Sequence, residues 1–180
     1  MPTHERQLQR RLSPYWKIEM SCAALIPLVV LRSAPPGSVL EICAVGISLL
    51  AASLLLLIGG AYWYGVLRRS QGDASPLLRV MRVSDTAESG IVALVAAAWL
   101  AGALASTAHG WSNPVIAALA CAALATLEYV NYFKVQLQHF DNLADFKRLL
   151  RGAGFRRAHL ARDLAAFRRA SRRGVDDGIA

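Results

Sequence analysis

The chain has 180 residues and a net charge of +8, and 55% of it is hydrophobic. Its mean hydropathy is +0.36. That composition excludes an ordinary soluble domain, because the apolar residues form long runs and the charges collect between and after them. The fold class read from this pattern is an all-α integral membrane protein. It is expected to be a four-transmembrane-helix bundle followed by a cytoplasmic, helical, basic tail.

Residues 1–14 read as a cytoplasmic leader. The first apolar run, Ile18–Leu31, is short for a span and comes after Arg6, Arg10, Arg11 and Lys17. Such a leader suits a signal peptide, but Arg32 and Pro35-Pro36 stand where small residues would mark cleavage. With Tyr15 and Trp16 as an interfacial belt, 15–32 is expected to cross as an uncleaved anchor. The second span, 39–67, ends in Tyr62-Trp63-Tyr64 and then Arg68-Arg69: aromatics at headgroup level, then cations in water. Ser75-Pro76 starts a short helix in the connection, expected on the membrane surface, with Leu77, Leu78 and Met81 on one side and Arg79 and Arg82 on the other. The third span, 88–108, comes after Asp85 and begins at Glu88, the two spaced as a capping box. The fourth, 114–133, opens on Asn113-Pro114, an N-cap residue with proline next at N1. The membrane domain thus covers 15–133.

The basic residues set the direction. The leader, the connection 68–87 and the tail 134–180 are rich in Lys and Arg, whereas the other two connections have only Arg32 between them. Four crossings with both termini cytoplasmic satisfy the positive-inside rule, placing the chain in the inner or plasma membrane.

Small residues are expected to hold the bundle together, since close approach drives helix association in lipid. Ala98, Gly102, Ser106 and Gly110 repeat at four-residue spacing, and Ala117, Cys121 and Ala125 do so on the next span. A tight antiparallel hairpin of spans three and four is expected from this. Cys22, Cys43 and Cys121 each lie in apolar stretches without CxxC or a Cys/His cluster, so neither metal nor cofactor is expected.

The stretch TLEYVNYFKVQLQHFDN (126–142) joins the polar end of the fourth span to the start of the tail. On one continuous helix, Glu128, Asn131, Gln138 and Asn142 fall within roughly 80°, with His139 at the margin. Glu128 would sit about 8 Å inside the span's end. A carboxylate there needs pairing, hydration or protonation, and Lys17, Arg79 and Arg82 are the candidate partners. This stripe is the candidate site for an ion, a solute or a partner protein, or else ties helices together.

The tail 134–180 repeats Phe-Arg-Arg-Ala at Phe155 and Phe167. Leu160, Leu164 and Phe167 share one helical face, and Arg156, Arg157, Arg168 and Arg169 are the candidates for contact with anionic lipid. No nucleic-acid-reading module accompanies the charge, so nucleic acid is disfavoured. Gly174 to Ala180 are expected to lack order. No catalytic motif is present. The sequence therefore points to a small non-enzymatic subunit, forming a homo-oligomer or joining a membrane complex, with a basic surface for partner protein or anionic lipid. The alternative is a small oligomeric channel or carrier using Glu128 and its stripe.

Overall fold

The computed structural model describes residues 3–137 and 155–176, and the chain divides into two compact units, Met1–Thr126 and Leu127–Ala180. In the first, α1 (Thr3–Ser33), α2 (Val39–Ser70), α3 (Ser75–His109) and the start of α4 (Asn113–Phe133) succeed one another through short links. All four helices contain segments long and apolar enough to cross a membrane. The chain is all-helical in its elements and forms a helical bundle.

The second helix is central. Its apolar residues are spread all round it; most of its circumference is buried, from Ala44, Val45 and Ser48 through Leu55, Leu56 and Ile58 to Tyr62 and Gly65, while Gly46, Leu50, Leu57 and Tyr64 form an exposed strip. A helix apolar on all faces belongs inside other helices or lipid. Exposed Leu25, Leu28 and Val29 on α1, Leu100 and Leu104 on α3, and Ile116 on α4 form the outer apolar surface.

Proline shapes the α1–α2 contact. Pro27 lies within α1. It has no N–H to give the carbonyl four residues back, that of Ala23. The Ser53 hydroxyl of α2 donates to that carbonyl at 3.2 Å. A neighbouring helix thus supplies the donor that Pro27 lacks, the way freed backbone groups are satisfied in apolar helices with proline. Further along, a Cβ on Gly60 would lie 3.1–3.3 Å from Met20 and Glu19, so glycine lets α1 come close.

The α2–α3 link is a tight turn through Gly72 and Asp73. Gly72 takes φ +92°, a conformation that costs other residues a steric penalty. Asp73 fastens the turn. Its carboxylate accepts from the Ser75 amide at 3.0 Å and hydroxyl at 2.7 Å, and from the Arg68 guanidinium at 3.0 Å. The Ser75 hydroxyl, then Arg68, holds the Asp73 carboxyl below its ordinary range.

Two expectations change here. The surface helix and the third span are one helix, because no glycine or proline stands between Leu77 and Ser89 to stop it. Leu77, Met81, Ser84, Ile91, Ala98, Gly102 and Ala105 are its buried residues, a three-four-seven spacing that forms one seam. Leu77 and Met81 are therefore buried rather than laid on a membrane. Asp85 and Glu88 are interior positions of α3 and cap nothing.

In the α3–α4 hairpin, a Cβ on Gly102 would meet Leu119 Cδ2 at 2.6 Å, and the Trp99 indole donates to Thr126 at 2.9 Å. Cys121 is buried in a cluster with Ala44, Val45, Leu49, Ala105, Val115 and Ala118. Ser106 turns its hydroxyl to the Ala103 carbonyl. Gly110 is no packing residue: α3 ends at His109, and Gly110 is exposed at φ +64°, where it turns the chain.

In the second unit, the last turns of α4 lead into an extended piece. Val135 bridges Arg157 in antiparallel fashion, with Gln136 N–H donating to Arg156 at 2.8 Å and Ala158 N–H to Lys134 at 3.1 Å. Then comes α5 (His159–Asp176). Its course through Gly174, Val175 and Asp176 replaces the expected loss of order there, and 177–180 lie outside the described residues.

Candidate functional site

The expected stripe is shorter than its helical phase implied. α4 stops at Phe133. Tyr129, Val130, Tyr132, Phe133 and Val135 are aromatic or β-branched, so the stretch favours helix weakly. The amides of Lys134 and Val135 both turn to the Val130 carbonyl, at 3.0 and 2.9 Å. The Asn131 side chain then accepts from the Leu137 amide at 2.9 Å. Asn131 is thus committed to ending the helix. Glu128 and Asn131 remain neighbours on α4, whereas Gln138, His139 and Asn142 lie outside the described residues.

Glu128 is half-buried, with carboxylate Oε2 inaccessible to solvent. Beside it in sequence, Tyr129 stacks on Phe133 with ring centroids 5.2 Å apart, and the Lys134 ammonium lies 5.3 Å from the Tyr129 ring centre. Lys134 therefore closes the span over an aromatic, a cation–π arrangement.

Besides Asp85 and Glu88 of α3, two buried carboxylates lie in candidate spans, so Glu128 is not the single one. Glu19 is 8% exposed, on α1, and it faces α2 where Gly60 leaves room. It stands inside the first apolar run and is visible there as a lone charge. Glu41 is 7% exposed, in the first turn of α2. Its Oε2 accepts from the Gly37 amide at 2.8 Å and its Oε1 from the Ser112 hydroxyl at 2.6 Å. Ser38 caps α2 through the Glu41 amide at 3.2 Å and meets His109 Nε2 at 2.9 Å. Glu41 and Ser38 thus clasp the α1–α2 link to the α3–α4 link. The signal was the pattern Ser-x-x-Glu ahead of an apolar run, a capping box, with the Glu reaching one residue further back than usual.

At the other end, aromatic rings pair between α1 and α2. Tyr15 lies against Trp63 at 5.8 Å and Trp16 against Tyr64 at 5.5 Å, and Lys17 stands over Trp16.

On α5, Leu160 and Leu164 are buried, as is Ala161. Arg162, Arg169 and Arg172 are exposed and Arg168 is half-buried; upstream, Arg156 and Arg157 are exposed. Positions seven apart fall on one helical face, so Arg162 and Arg169 point the same way, opposite the leucines. Arg162 also meets His159 Nδ1 at 2.6 Å. The leucine face is buried, and Arg162, Arg169 and Arg172 are among the exposed positions of this helix.

Compared with protein-family models, with curated proteins and with solved structures, the chain shows no match.

Proposed function

We propose that this protein is a non-enzymatic, four-span membrane subunit that scaffolds a partner protein through an arginine-bearing cytoplasmic helix. The supporting observation is the division of α5. A helix that embeds in a membrane surface presents its apolar face to lipid, whereas Leu160 and Leu164 are buried and Arg162, Arg169 and Arg172 are exposed. A docking surface of that kind is electrostatic and suits an acidic protein face. Exposed charge pairs contribute little individually, so several arginines act together and salt weakens the contact. The distribution of Lys and Arg supports an inner- or plasma-membrane protein with both termini in the cytoplasm.

The test places a photo-crosslinking residue at Ala170, an exposed position of α5, in the full chain in native membranes. A discrete protein adduct is expected, lost when Arg162, Arg169 and Arg172 are replaced by Gln. Adducts to lipid alone would overturn the partner-protein reading in favour of the anionic leaflet.

A second reading, a small oligomeric pore or carrier, is favoured by Glu19 and Glu128, both in candidate spans with a carboxylate oxygen shielded from solvent. Such groups often mark proton or ion paths. Proton flux into liposomes, lost with Glu19→Gln or Glu128→Gln, would support it over scaffolding.

A further inference from the structure

On the outer side of the α2–α3 hairpin lies an open groove of about 220 Å³. Leu57, Ile58 and Ala61 of α2 and Val80 and Val83 of α3 form its walls, with Arg79 and Ser84 also lining it. The aliphatic walls fit hydrocarbon and offer nothing to a polar solute.

The register of the hairpin gives its depth. A Cβ on Gly65 would lie 2.8 Å from Leu77 Cα, so those two residues are level. Arg79 lies two residues beyond Leu77, about 3 Å along the axis, and so is level with the aromatic row Tyr62-Trp63-Tyr64. Aromatic rows mark the headgroup region of a bilayer. Ser84 lies five residues further in, about 7 Å deeper.

Arg79 borders this apolar groove, and Ser84 lies buried behind its wall. Arg79 is exposed and has no ion pair or side-chain hydrogen bond among the described residues. A long basic side chain rooted at this level can carry its cation to a lipid phosphate. Ser84 is fully buried, and its hydroxyl has no hydrogen-bond partner among the described residues. With no accessible surface, that hydroxyl is out of reach of anything in the groove, and Arg79 is the polar residue that an occupant would meet.

We propose that this groove seats one anionic phospholipid, its phosphate on Arg79 and an acyl chain along Leu57, Ile58, Ala61, Val80 and Val83. Arg79 selects the charge of the headgroup, and the groove holds the chain against the bundle. The inference rests on the four-span reading but not on the docking role of α5, which lies in the other unit.

The test uses the full chain in nanodiscs of equal phosphatidylglycerol and phosphatidylcholine, then native mass spectrometry of the protein released with its retained lipid. Wild type is expected to keep one phosphatidylglycerol. Arg79→Gln should lower that retention about fivefold, the factor one cation near an anionic surface supplies. Val83→Trp, which fills the groove, should lower retention of either lipid, and Arg169→Gln on α5 should leave it unchanged. Unchanged phosphatidylglycerol retention in Arg79→Gln would overturn the proposal, as would equal retention of phosphatidylcholine by wild type. Arg79 is an exposed side chain, so its variant should fold and decide the matter even if Val83→Trp does not. Extraction of the wild-type chain from membranes by alkaline carbonate would refute the four-span reading itself, a failure separate from the loss of lipid selectivity.

Discussion

Removing the Ser53 hydroxyl should matter only because Pro27 is present. In Ser53→Ala the Ala23 carbonyl loses the donor that reaches it at 3.2 Å, and α1 cannot replace it, since Pro27 carries no N–H. An unpaired carbonyl in a water-free core costs about 1–3 kcal/mol, while side-chain hydrogen bonds between membrane helices measure about 0.6 kcal/mol on average and about 1.7 at most. The expected cost of Ser53→Ala, set between these ranges, is about 1 kcal/mol. Pro27→Ala returns an amide to the helix, four residues from Ala23, and so supplies the missing donor. In that background Ser53→Ala should cost close to nothing. The assay is a double-mutant cycle on the full chain in mixed micelles, with unfolding monitored by denaturant titration. The predicted coupling is about 1 kcal/mol, above the scatter of additive sites. Equal cost of Ser53→Ala with and without Pro27 would refute the assignment of this serine to the proline-freed carbonyl.

Glycine packing separates two otherwise similar substitutions. Gly65→Ala must push α2 back from Leu77 by roughly 0.6 Å to reach ordinary contact at 3.4 Å, a gap that forfeits about a quarter of each dispersion contact. It should destabilise by about 1–3 kcal/mol, whereas Gly46→Ala, with nothing within 4 Å, should be neutral or stabilising in the same thermal assay; equal stabilities would be against this. Gly102→Ala meets only the flexible end of Leu119, so its loss should be partly restored by Leu119→Ala, and no rescue would count against that contact. Glu41→Ala and Ser112→Ala act on one clasp, so their combination should be little worse than Glu41→Ala alone, and full additivity would show that the clasp is not shared. Asp73 has a carboxyl pKa lowered by Ser75 and Arg68, so the stability it contributes is fully present above its unfolded value of about 3.9 and is lost as pH falls through its lower folded value. Wild type and Asp73→Asn should therefore converge in stability below that value, and a difference persisting at the acid end of the titration would contradict the linkage.

Much of the bundle was legible because its signals are local. Runs such as Val39–Leu67 are long and apolar, end in aromatics and cations, and need no partner to be recognised. The continuous α3 was less legible, because Arg79, Arg82, Asp85 and Glu88 read as a polar connection until the seam of Leu77, Met81, Ser84 and Ile91 is seen to be buried. The end of α4 could not be placed by periodicity, which continues through Lys134, whereas the turn depends on Asn131 receiving a backbone amide six residues on. For the same reason Glu128 and Asn131 were readable as polar positions of one helix but the longer stripe was not. Glu41 and Ser53 were missed as partners because each acts on another helix or loop, Ser112 in one case and Ala23 in the other, and the pairing exists only once the chain has folded. Glu19 was in plain view as a charge inside an apolar run and is the site residue that closer reading of the sequence alone would have found.

Cysteine accessibility tests the four-span arrangement most directly. In a chain with Cys22, Cys43 and Cys121 replaced, single cysteines are placed at Pro35, Gln71, Trp111 and Ala170, all exposed. A membrane-impermeant maleimide on intact cells should label Pro35→Cys and Trp111→Cys, and should reach Gln71→Cys and Ala170→Cys only after lysis. Labelling of Ala170→Cys from outside, or of Gln71→Cys and Trp111→Cys from the same side, would contradict four crossings with both termini in the cytoplasm.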